Sequence, residues 1–538
     1  MSMNPVIPPD ELPREPMRWQ VKFALALVMV VGLVALGAWL EHERAKAGLA
    51  AYKQQLIARG EKLDLKDHLP PMPKPEENAA PDLLAAVESM AKRPPSGQRA
   101  AAMTMTASGS ARVAWQQPEL STAEHSDVWP ELLAFVEDER PALLAAAQAL
   151  ERPRWGVAVD YSRLHEGLAV AHLTSLRVLA MAQTEAVLTD LHFDRPAEAY
   201  TNLLAQTRLV QRLEEPLLIA QLVRYSLATV AVSATWEALQ KPGWTDAQLA
   251  ELQLTWERME LLKNFVAASE LERCLVPNWF ARYRSDPGKL REMLAMMSSG
   301  SISPAPSLWG ALWEQLFDNP TKAADTVQEI WRLGTWLAWN SYADERYQYA
   351  TLQPWVELDR AVLRAPNSFA ASTRIEALGK LATPAPEAFL VSHGFPNGTQ
   401  GYRRRLANLE SVRRLMVTVL ALERHRLRQG SYPESLAALV PSFLREVPID
   451  FQDAQPLRYR REANGEFKLW SVGENGTDEG GNNEFPAAAS AILAAPAVAP
   501  PRTWMNDRDL LWPLPATEAE VAALHADYAA ERAKKGKP

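Results

Sequence analysis

The histidines and the cysteine could do chemistry, but their spacing matches no common catalytic or metal-binding motif. A zinc metalloprotease places two histidines four residues apart around a glutamate, and His165, Glu166 and His172 lack this spacing. The sequence contains neither the Gly-x-Ser-x-Gly turn of serine hydrolases nor a phosphate-binding glycine loop followed by lysine. Catalytic triads are scattered along a sequence, so these absences leave the enzyme class open.

The single cysteine, Cys274, excludes an intrachain disulfide and a cysteine-rich zinc site. Its surroundings, Leu-Glu-Arg-Cys-Leu, are typical of a helix. We therefore interpret it as a small buried side chain rather than a nucleophile.

Arginine is concentrated in one predicted helix. Eight arginines lie between Arg403 and Arg428, with Glu410 and Glu423 among them. A basic face can bind acidic lipid, an acidic protein or nucleic acid; we interpret this one as a solvated face paired with the protein's own carboxylates. The chain has 57 basic and 65 acidic residues, for a net charge of −8. This charge argues against a general nucleic-acid-binding protein, so we expect no nucleic-acid partner.

An apolar segment near the amino terminus predicts a membrane span. Residues Phe23–Leu40 are uncharged, and as a helix they would extend about 27 Å, close to the ~30 Å hydrocarbon core of a bilayer. Trp19 and Trp39 lie near the two ends, where interfacial aromatic residues are favoured. A cleaved signal peptide is the alternative, but its apolar region is usually only ~7–15 residues long. We predict an uncleaved anchor.

The orientation of this anchor follows from the length of chain on each side. Basic residues are almost balanced around the segment, so they do not fix the orientation. A short tail precedes the span and about 500 residues follow it, which favours export of the large carboxy-terminal part. We therefore predict a single-pass protein of the inner (cytoplasmic) membrane with a periplasmic carboxy-terminal part.

The remainder is predicted to be mostly α-helical, with a small α+β module near the carboxyl terminus. The chain is 47% apolar and 23% charged, which is sufficient to bury a core. Apolar residues between Leu218 and Leu239 recur at spacings of three, four and seven. Thr245 and Gln248 form a capping-box pattern at the start of the next helix. Successive helices of this kind indicate a body similar to helical-repeat scaffolds. The tryptophan-rich residues 263–400 predict core packing, with an aromatic ligand groove as the alternative.

The carboxy-terminal region changes character after a long helix that is expected to end at Gly430. Asn464-Gly465 predicts a β-hairpin, and a polar glycine-rich loop follows at 471–484. Residues 94–128, rich in glycine, serine and proline, are expected to form a loop. The predicted divisions are a tail (1–22), a transmembrane helix (23–40), a helix with a proline-rich connector (41–150), a helical body (151–400), an α+β module (401–485), an Ala/Pro-rich linker (486–516) and a last helix with a basic tail (517–538).

Residues 405–485 resemble the globular part of the major pseudopilin of type II secretion systems. The matching motifs are Gly430 with Tyr432-Pro433, Asp450, Pro456 with Tyr459, and Ser471-Val-Gly-x-Asn-Gly476. The resemblance implies a long helix, a shorter helix, a small antiparallel sheet and a calcium-binding loop. More loosely, the whole chain looks like large membrane-anchored bacterial envelope proteins, to which the segment Asp509–Pro513 is also similar. A pseudopilin processing site is missing at Lys22-Phe23, so fibre assembly is not expected.

The same resemblance implies a calcium site in the 471–484 loop. Calcium is coordinated by oxygens of carboxylates, amides, carbonyls and water. Asp478, Glu479 and Glu484 lie close to the aligned ligands and could replace the carboxylates that the family usually has where this chain has asparagines. The alternative is a glycine- and asparagine-rich turn without metal. The candidate ligands are the carbonyls of Val472 and Gly480 and the side chains of Asn475, Asp478 and Asn482.

These observations predict a membrane-anchored envelope protein that acts as a non-catalytic scaffold or interaction partner of a secretion or pilus-type system. The expected partners are the lipid bilayer, through residues 23–40, and another envelope protein. Calcium is the one expected cofactor. Two alternatives stay open: an envelope hydrolase with a site in residues 263–400, and a calcium-responsive interaction module.

Overall fold

The computed structural model describes residues 19–90, 103–107, 109–161, 170–299, 320–364, 385–394, 399–481 and 509–535. Within them the protein is mostly α-helical, as predicted. The predicted tail 1–22 before Trp19 and the predicted linker before Asp509 lie outside the described residues. The helices are α1 (Trp19–Ala58), α2 (Ala80–Glu88), α3 (Trp129–Ala149), α4 (Ala171–His192), α5 (Pro196–Arg212), α6 (Leu218–Leu239), α7 (Asp246–Glu257), α8 (Leu261–Ser285), α9 (Pro287–Ser299), α10 (Pro320–Thr335), α11 (Ser341–Arg364), α12 (Leu390–Gly394), α13 (Thr399–Gln429) and α14 (Glu518–Lys535).

Two small sheets accompany the helices. The first has the order β1-β2-β6, with β1 and β2 antiparallel and β2 and β6 parallel. The second has the order β3-β4-β5 and is antiparallel throughout. The strands are β1 (Thr104–Ala107), β2 (Ser110–Arg112), β3 (Arg458–Arg461), β4 (Phe467–Ser471), β5 (Leu510–Leu511) and β6 (Leu514–Pro515).

The described residues group into two compact units, each assembled from separate stretches of sequence. The first contains those within Met1–Lys62, Trp279–Ala350 and Pro384–Pro396. The second contains those within Leu63–Asn278, Thr351–Thr383 and Asn397–Pro538. We call them the anchor unit and the body unit.

In the anchor unit, α1 is one continuous helix of 40 residues. It confirms the expectation that the apolar segment continues as a helix beyond Leu40. None of its apolar 18-residue window is buried. Past this window, α1 packs against the five-residue π-helix Trp336–Asn340 that joins α10 to α11.

In the body unit, α4, α5 and α6 pack together as neighbours, and α13 packs along α7. Local signals in the sequence set several boundaries correctly. The Thr245 side chain accepts a hydrogen bond from the Gln248 amide, and the Gln248 side chain accepts one from the Thr245 amide. These two bonds confirm the predicted capping box. Gly430 follows α13 with a φ of +80°, the left-handed conformation expected after a helix. Cys274 is buried, as interpreted from the sequence.

The segment that starts at Asp509 adds a strand to each sheet. Leu510 pairs with Ser471 of the carboxy-terminal hairpin, and Leu514 pairs with Ser110 of the amino-proximal hairpin. The expectation that residues 94–128 form only a loop was therefore wrong for β1 and β2. These strands are three and four residues long, and their sheet is completed by a partner about 400 residues away, which local sequence does not reveal.

Candidate functional site

The loop after β4 is held by a buried carboxylate, Asp450. Its Oδ1 accepts hydrogen bonds from the Ser471 hydroxyl at 2.7 Å and the Gln452 amide at 2.9 Å. Its Oδ2 accepts one from the Val472 amide at 2.8 Å and lies 3.2 Å from Nη1 of Arg458. Asp450 has no exposed surface, and this burial raises its pKa although the hydrogen bonds act in the opposite direction. The start of the loop is thus fixed by protein donors.

Arg458 connects this anchor to the middle of the loop. Its guanidinium group lies 2.5 Å from a carboxylate oxygen of Asp453 and 3.3 Å from Oδ2 of Asp478. The other oxygen of Asp478 accepts hydrogen bonds at 2.9 Å from the Trp470 indole and from the Gly480 amide. These donors hold the pKa of Asp478 below its ordinary value, although partial burial acts to raise it.

The end of the loop meets the segment that begins at Asp509. Oδ2 of Asp509 accepts a hydrogen bond from the Gly481 amide at 2.8 Å. Gly481 has a φ of +77°, and a Cβ there would lie 3.2 Å from the Trp470 ring. Any other residue at this position would be strained. The glycine therefore allows the loop to close over Trp470 and reach Asp509.

Two carboxyl groups, Glu479 and Asp509, interact at this closure. Burial, with a smaller contribution from the neighbouring Glu479 carboxyl, raises the pKa of Asp509 to about 7. Oε2 of Glu479 and Oδ1 of Asp509 are buried and have no hydrogen-bond partner among the described residues. Such a pair either shares a proton or binds a cation. Calcium fits this donor type because it prefers carboxylate oxygens.

The predicted calcium ligands are distributed unevenly around this pair. Val472 lies at the Asp450 end of the loop, and Asp478 is engaged by Trp470, Gly480 and Arg458. Oδ1 of Asn475 accepts a hydrogen bond from the Thr477 amide, and its Nδ2 donates to Glu479 at 2.6 Å. Gly480 adjoins Glu479, whereas Asn482 lies outside the described residues. Within the described part of the chain, no three His, Cys, Asp or Glu side chains group closely enough for a metal ion.

Sequence reasoning did not assign roles to two residues of this site. Asp450 belongs to the matching motifs, but its function in holding the loop follows only from its contacts. The sequence assigned no chemical role to Asp509. Its meeting with Glu479 depends on β5 pairing with β4, which no local signal predicts.

The arginine-rich helix α13 pairs with the protein's own carboxylates, as interpreted from the sequence, but part of this face is buried rather than solvated, since Arg403, Glu410 and Glu423 are buried. The guanidinium of Arg403 lies 2.6 Å from Asp359, which is also buried. Glu410 is buried, and both of the neighbouring arginines hold its pKa below the ordinary value against the effect of burial. The pairs on this helix are Arg403–Asp359, Arg413–Glu410, Arg414–Glu410, Arg424–Asp246, Arg426–Glu423 and Arg428–Asp246.

A cleft of about 510 Å³ lies beside this helix in the body unit. Its lining includes Arg413 and Arg414 of α13, Glu257 and Arg258 at the end of α7, and Arg445. Arg413 and Arg414 already pair with Glu410. The cleft lies outside the tryptophan-rich region proposed for a hydrolase site.

In the tryptophan-rich region Trp336 and Trp355 are buried, whereas Trp331 is exposed. Trp336 is fully buried and stacks near Phe280, with ring centroids 6.1 Å apart. Its indole donates to Asp344 at 2.8 Å, and the amides of Val391 and Ser392 donate to the same carboxylate at 3.0 and 3.1 Å. Burial raises the pKa of Asp344. Because protein donors occupy its oxygens, this carboxylate joins α12 to α11 rather than facing a ligand.

Comparison with protein-family models, with curated proteins and with solved structures gives no match for this chain.

Proposed function

We propose that the protein is a single-pass anchored protein of the cell envelope that acts as a non-catalytic scaffold or interaction partner. The observation that carries this proposal is α1, whose apolar window is wholly exposed in the folded chain. An exposed apolar surface of this size is costly in water but stable in a bilayer. We further propose that the large part of the chain that follows α1 lies on the exported side.

A structural rather than catalytic role is supported by three buried acids that accept hydrogen bonds from the protein. Asp450 and Asp344 each accept several hydrogen bonds from the protein. Glu237 accepts hydrogen bonds from two backbone amides. These carboxylates therefore fix one element against another, and they lie on different elements instead of converging on one pocket. The proposed link to a secretion or pilus-type system rests on the resemblance of residues 405–485 to a pseudopilin module.

The experiment is a topology measurement on the full chain. A reporter that is active only outside the cytoplasm is fused after Pro538, and the same fusion is made to a variant lacking Phe23–Leu40. We expect activity from the first fusion and none from the second. A carboxyl terminus that remains cytoplasmic in the full chain would overturn both the exported scaffold and the secretion link.

A second candidate function, a calcium-responsive interaction module, is favoured by the Glu479–Asp509 pair. Ca²⁺ bound between the two carboxyl groups would neutralise their charge and coordinate the two buried oxygens that have no hydrogen-bond partner in the described part of the chain. Because Asp509 must lose a proton to bind the ion, the affinity should increase as the pH rises through about 7.

This candidate predicts that Ca²⁺ raises the melting temperature of the full chain more at pH 8 than at pH 6. Saturation to ten times Kd corresponds to about 1.4 kcal/mol of added stability. The double variant Glu479→Gln/Asp509→Asn should lose the shift, while Glu466→Gln, an exposed hairpin glutamate, should keep it. An equal shift in all three chains, or none in the wild type, would contradict the candidate.

A further inference from the structure

Helix α10 in the anchor unit exposes two large apolar side chains on one side. Val327 and Trp331 lie one turn apart on the same side and are 52% and 68% exposed. Gly334 continues this side, and a Cβ placed there would meet no atom within 4 Å. The opposite side carries Thr326 and Leu333, both of which are buried. We call Val327, Trp331 and Gly334 the outer stripe.

The inner side of α10 is fixed to the protein by a polar contact. Nε of Arg291 on α9 lies 2.7 Å from a carboxylate oxygen of Glu329, and Nη2 lies 3.3 Å from the other. This two-pronged pair orients the helix about its axis. This contact fixes the rotation of α10 about its axis, so the outer stripe stays on the exposed side of the helix.

The π-helix that follows α10 contacts α1 just beyond the apolar segment of α1. Nδ1 of His42 lies 3.2 Å from the carbonyl oxygen of Ala338 in the π-helix, and its ring meets Tyr342 edge-on at 4.9 Å. His42 follows the end of the apolar segment, Leu40, by two residues, about 3 Å along a helix. The π-helix therefore touches α1 just where α1 would leave a bilayer.

From this point α11 runs along α1 away from the apolar segment. Nζ of Lys53 lies 2.7 Å from Glu345 and 5.1 Å from the centre of the Tyr349 ring. Helix α10 precedes the π-helix, so its carboxy-terminal end lies at the membrane-proximal end of the unit. Trp331 lies seven residues before Ala338, about 10 Å along a helix.

We propose that α10 is a membrane-surface helix whose outer stripe inserts into the headgroup layer of the bilayer that α1 spans. An amphipathic helix with tryptophan on its apolar side binds such an interface. Arg332 is exposed next to Trp331, where its guanidinium can pair with lipid phosphate. The occupant is a lipid surface because the stripe is continuous, through the π-helix, with the exit point of α1. This inference rests on the proposed membrane anchor.

The test measures the depth of single labels in vesicles. The one native cysteine is removed by Cys274→Ala, and single cysteines are introduced by Val327→Cys or Trp331→Cys and labelled with a polarity-sensitive fluorophore. Val30→Cys, in the apolar segment, is the deep reference, and Gln55→Cys, on the exposed surface of α1 beyond it, is the aqueous reference. The full chains are reconstituted into vesicles whose lipids carry a nitroxide quencher either at the headgroup or in the middle of the acyl chain.

We expect labels at 327 and 331 to lose more fluorescence to the headgroup quencher than to the mid-chain quencher. The label at 30 should show the reverse order, and the label at 55 should lose little to either. Quenching at 30 without quenching at 327 and 331 would overturn the inference, because it would show that the outer stripe lies outside the bilayer. A lack of quenching at 30 would overturn the anchor itself, and the inference with it.

The labelled positions are exposed, so their replacement removes no core packing. Circular dichroism and thermal melting of each labelled chain, matched to the Cys274→Ala parent, establish that the fold is kept. A second readout uses Trp331→Asp with the span intact. It should leave the chain in the membrane but abolish headgroup quenching of a label at 327, and unchanged quenching would contradict the inference.

Discussion

Among the described residues, two helices are long and apolar enough to cross a membrane, and they differ in how much of their apolar surface the protein buries. In α1 none of the apolar window is buried, whereas half of the corresponding window of α6 is buried in the body unit. Composition alone does not separate them. The two helices differ in their charged residues. The apolar segment of α1 contains no charged residue, whereas α6 contains Arg224 and Glu237.

Both charged groups of α6 are buried and hydrogen-bonded to the surrounding protein. Nε of Arg224 donates to the Val210 carbonyl at 2.7 Å near the end of α5, which satisfies a carbonyl that the helix leaves free. Glu237 accepts hydrogen bonds at 3.0 Å from the Ala114 amide. The Trp236 indole donates to the Pro513 carbonyl at 2.9 Å. Helix α6 is therefore a core helix that organises its neighbours, and α1 is the helix available to lipid.

The largest effects are expected when one aspartate is placed in each helix, because the two helices should then fail in different ways. Val232→Asp buries a charge at a position with no exposed surface, and we expect it to lower the free energy of unfolding of the body by about 3–5 kcal/mol. Val30→Asp should leave the body intact but weaken insertion of α1 by about 2.5–3.5 kcal/mol. Thermal melting and membrane fractionation of both variants measure the two effects. A loss of membrane association in Val232→Asp with an unchanged melting temperature would reverse the assignment.

A smaller effect is the pH dependence of stability that the buried Glu237 of α6 introduces. Burial raises the pKa of Glu237 from an ordinary 4.5 to about 7, although the amides of Ala114 and Met103 act to lower it. The folded chain thus keeps a proton that the unfolded chain releases, so this group's contribution to stability falls as the pH rises from about 4.5 to about 7. The slope is at most about 1.4 kcal/mol per pH unit. In Glu237→Gln this part of the slope should disappear in denaturant titrations at several pH values, and parallel curves for the two chains would contradict the prediction.

The smallest effect concerns the bond between α6 and the carboxy-terminal segment. Trp236→Phe keeps most of the buried ring but leaves the Pro513 carbonyl without its donor. We expect a loss of about 1 kcal/mol in the free energy of unfolding. Trp331→Phe is the matched control, because Trp331 is 68% exposed and its replacement removes little packing; its effect should be close to zero. Equal losses in both variants would exclude the hydrogen bond as the cause.

Features coded by neighbouring residues could be predicted from the sequence. The capping box of Thr245 and Gln248 and the hairpin turn at Asn464-Gly465 are each set within four residues. The continuation of α1 beyond Leu40 follows from the helix-forming residues after the span. In these cases the chain's local conformational preference and its final packing agree.

Features that join distant parts of the chain could not be predicted. The pairing of Ser110 with Leu514 and the approach of Asp509 to Gly481 depend on where the chain returns after long stretches. The outer stripe of α10 is a similar case, because the amphipathic pattern predicts two faces without stating which one the protein covers. Burial of Thr326 and exposure of Trp331 are decided by the contacts of α9 and the π-helix.

The most direct test of the distinction between α1 and α6 is alkaline carbonate extraction of membranes from cells that express the full chain. We expect the protein to stay in the membrane pellet and to be released only by detergent, while a variant lacking Phe23–Leu40 but retaining α6 is recovered in the soluble fraction. Release of the full chain by carbonate, or retention of the shortened variant in the pellet, would contradict the assignment of α1 as the membrane anchor.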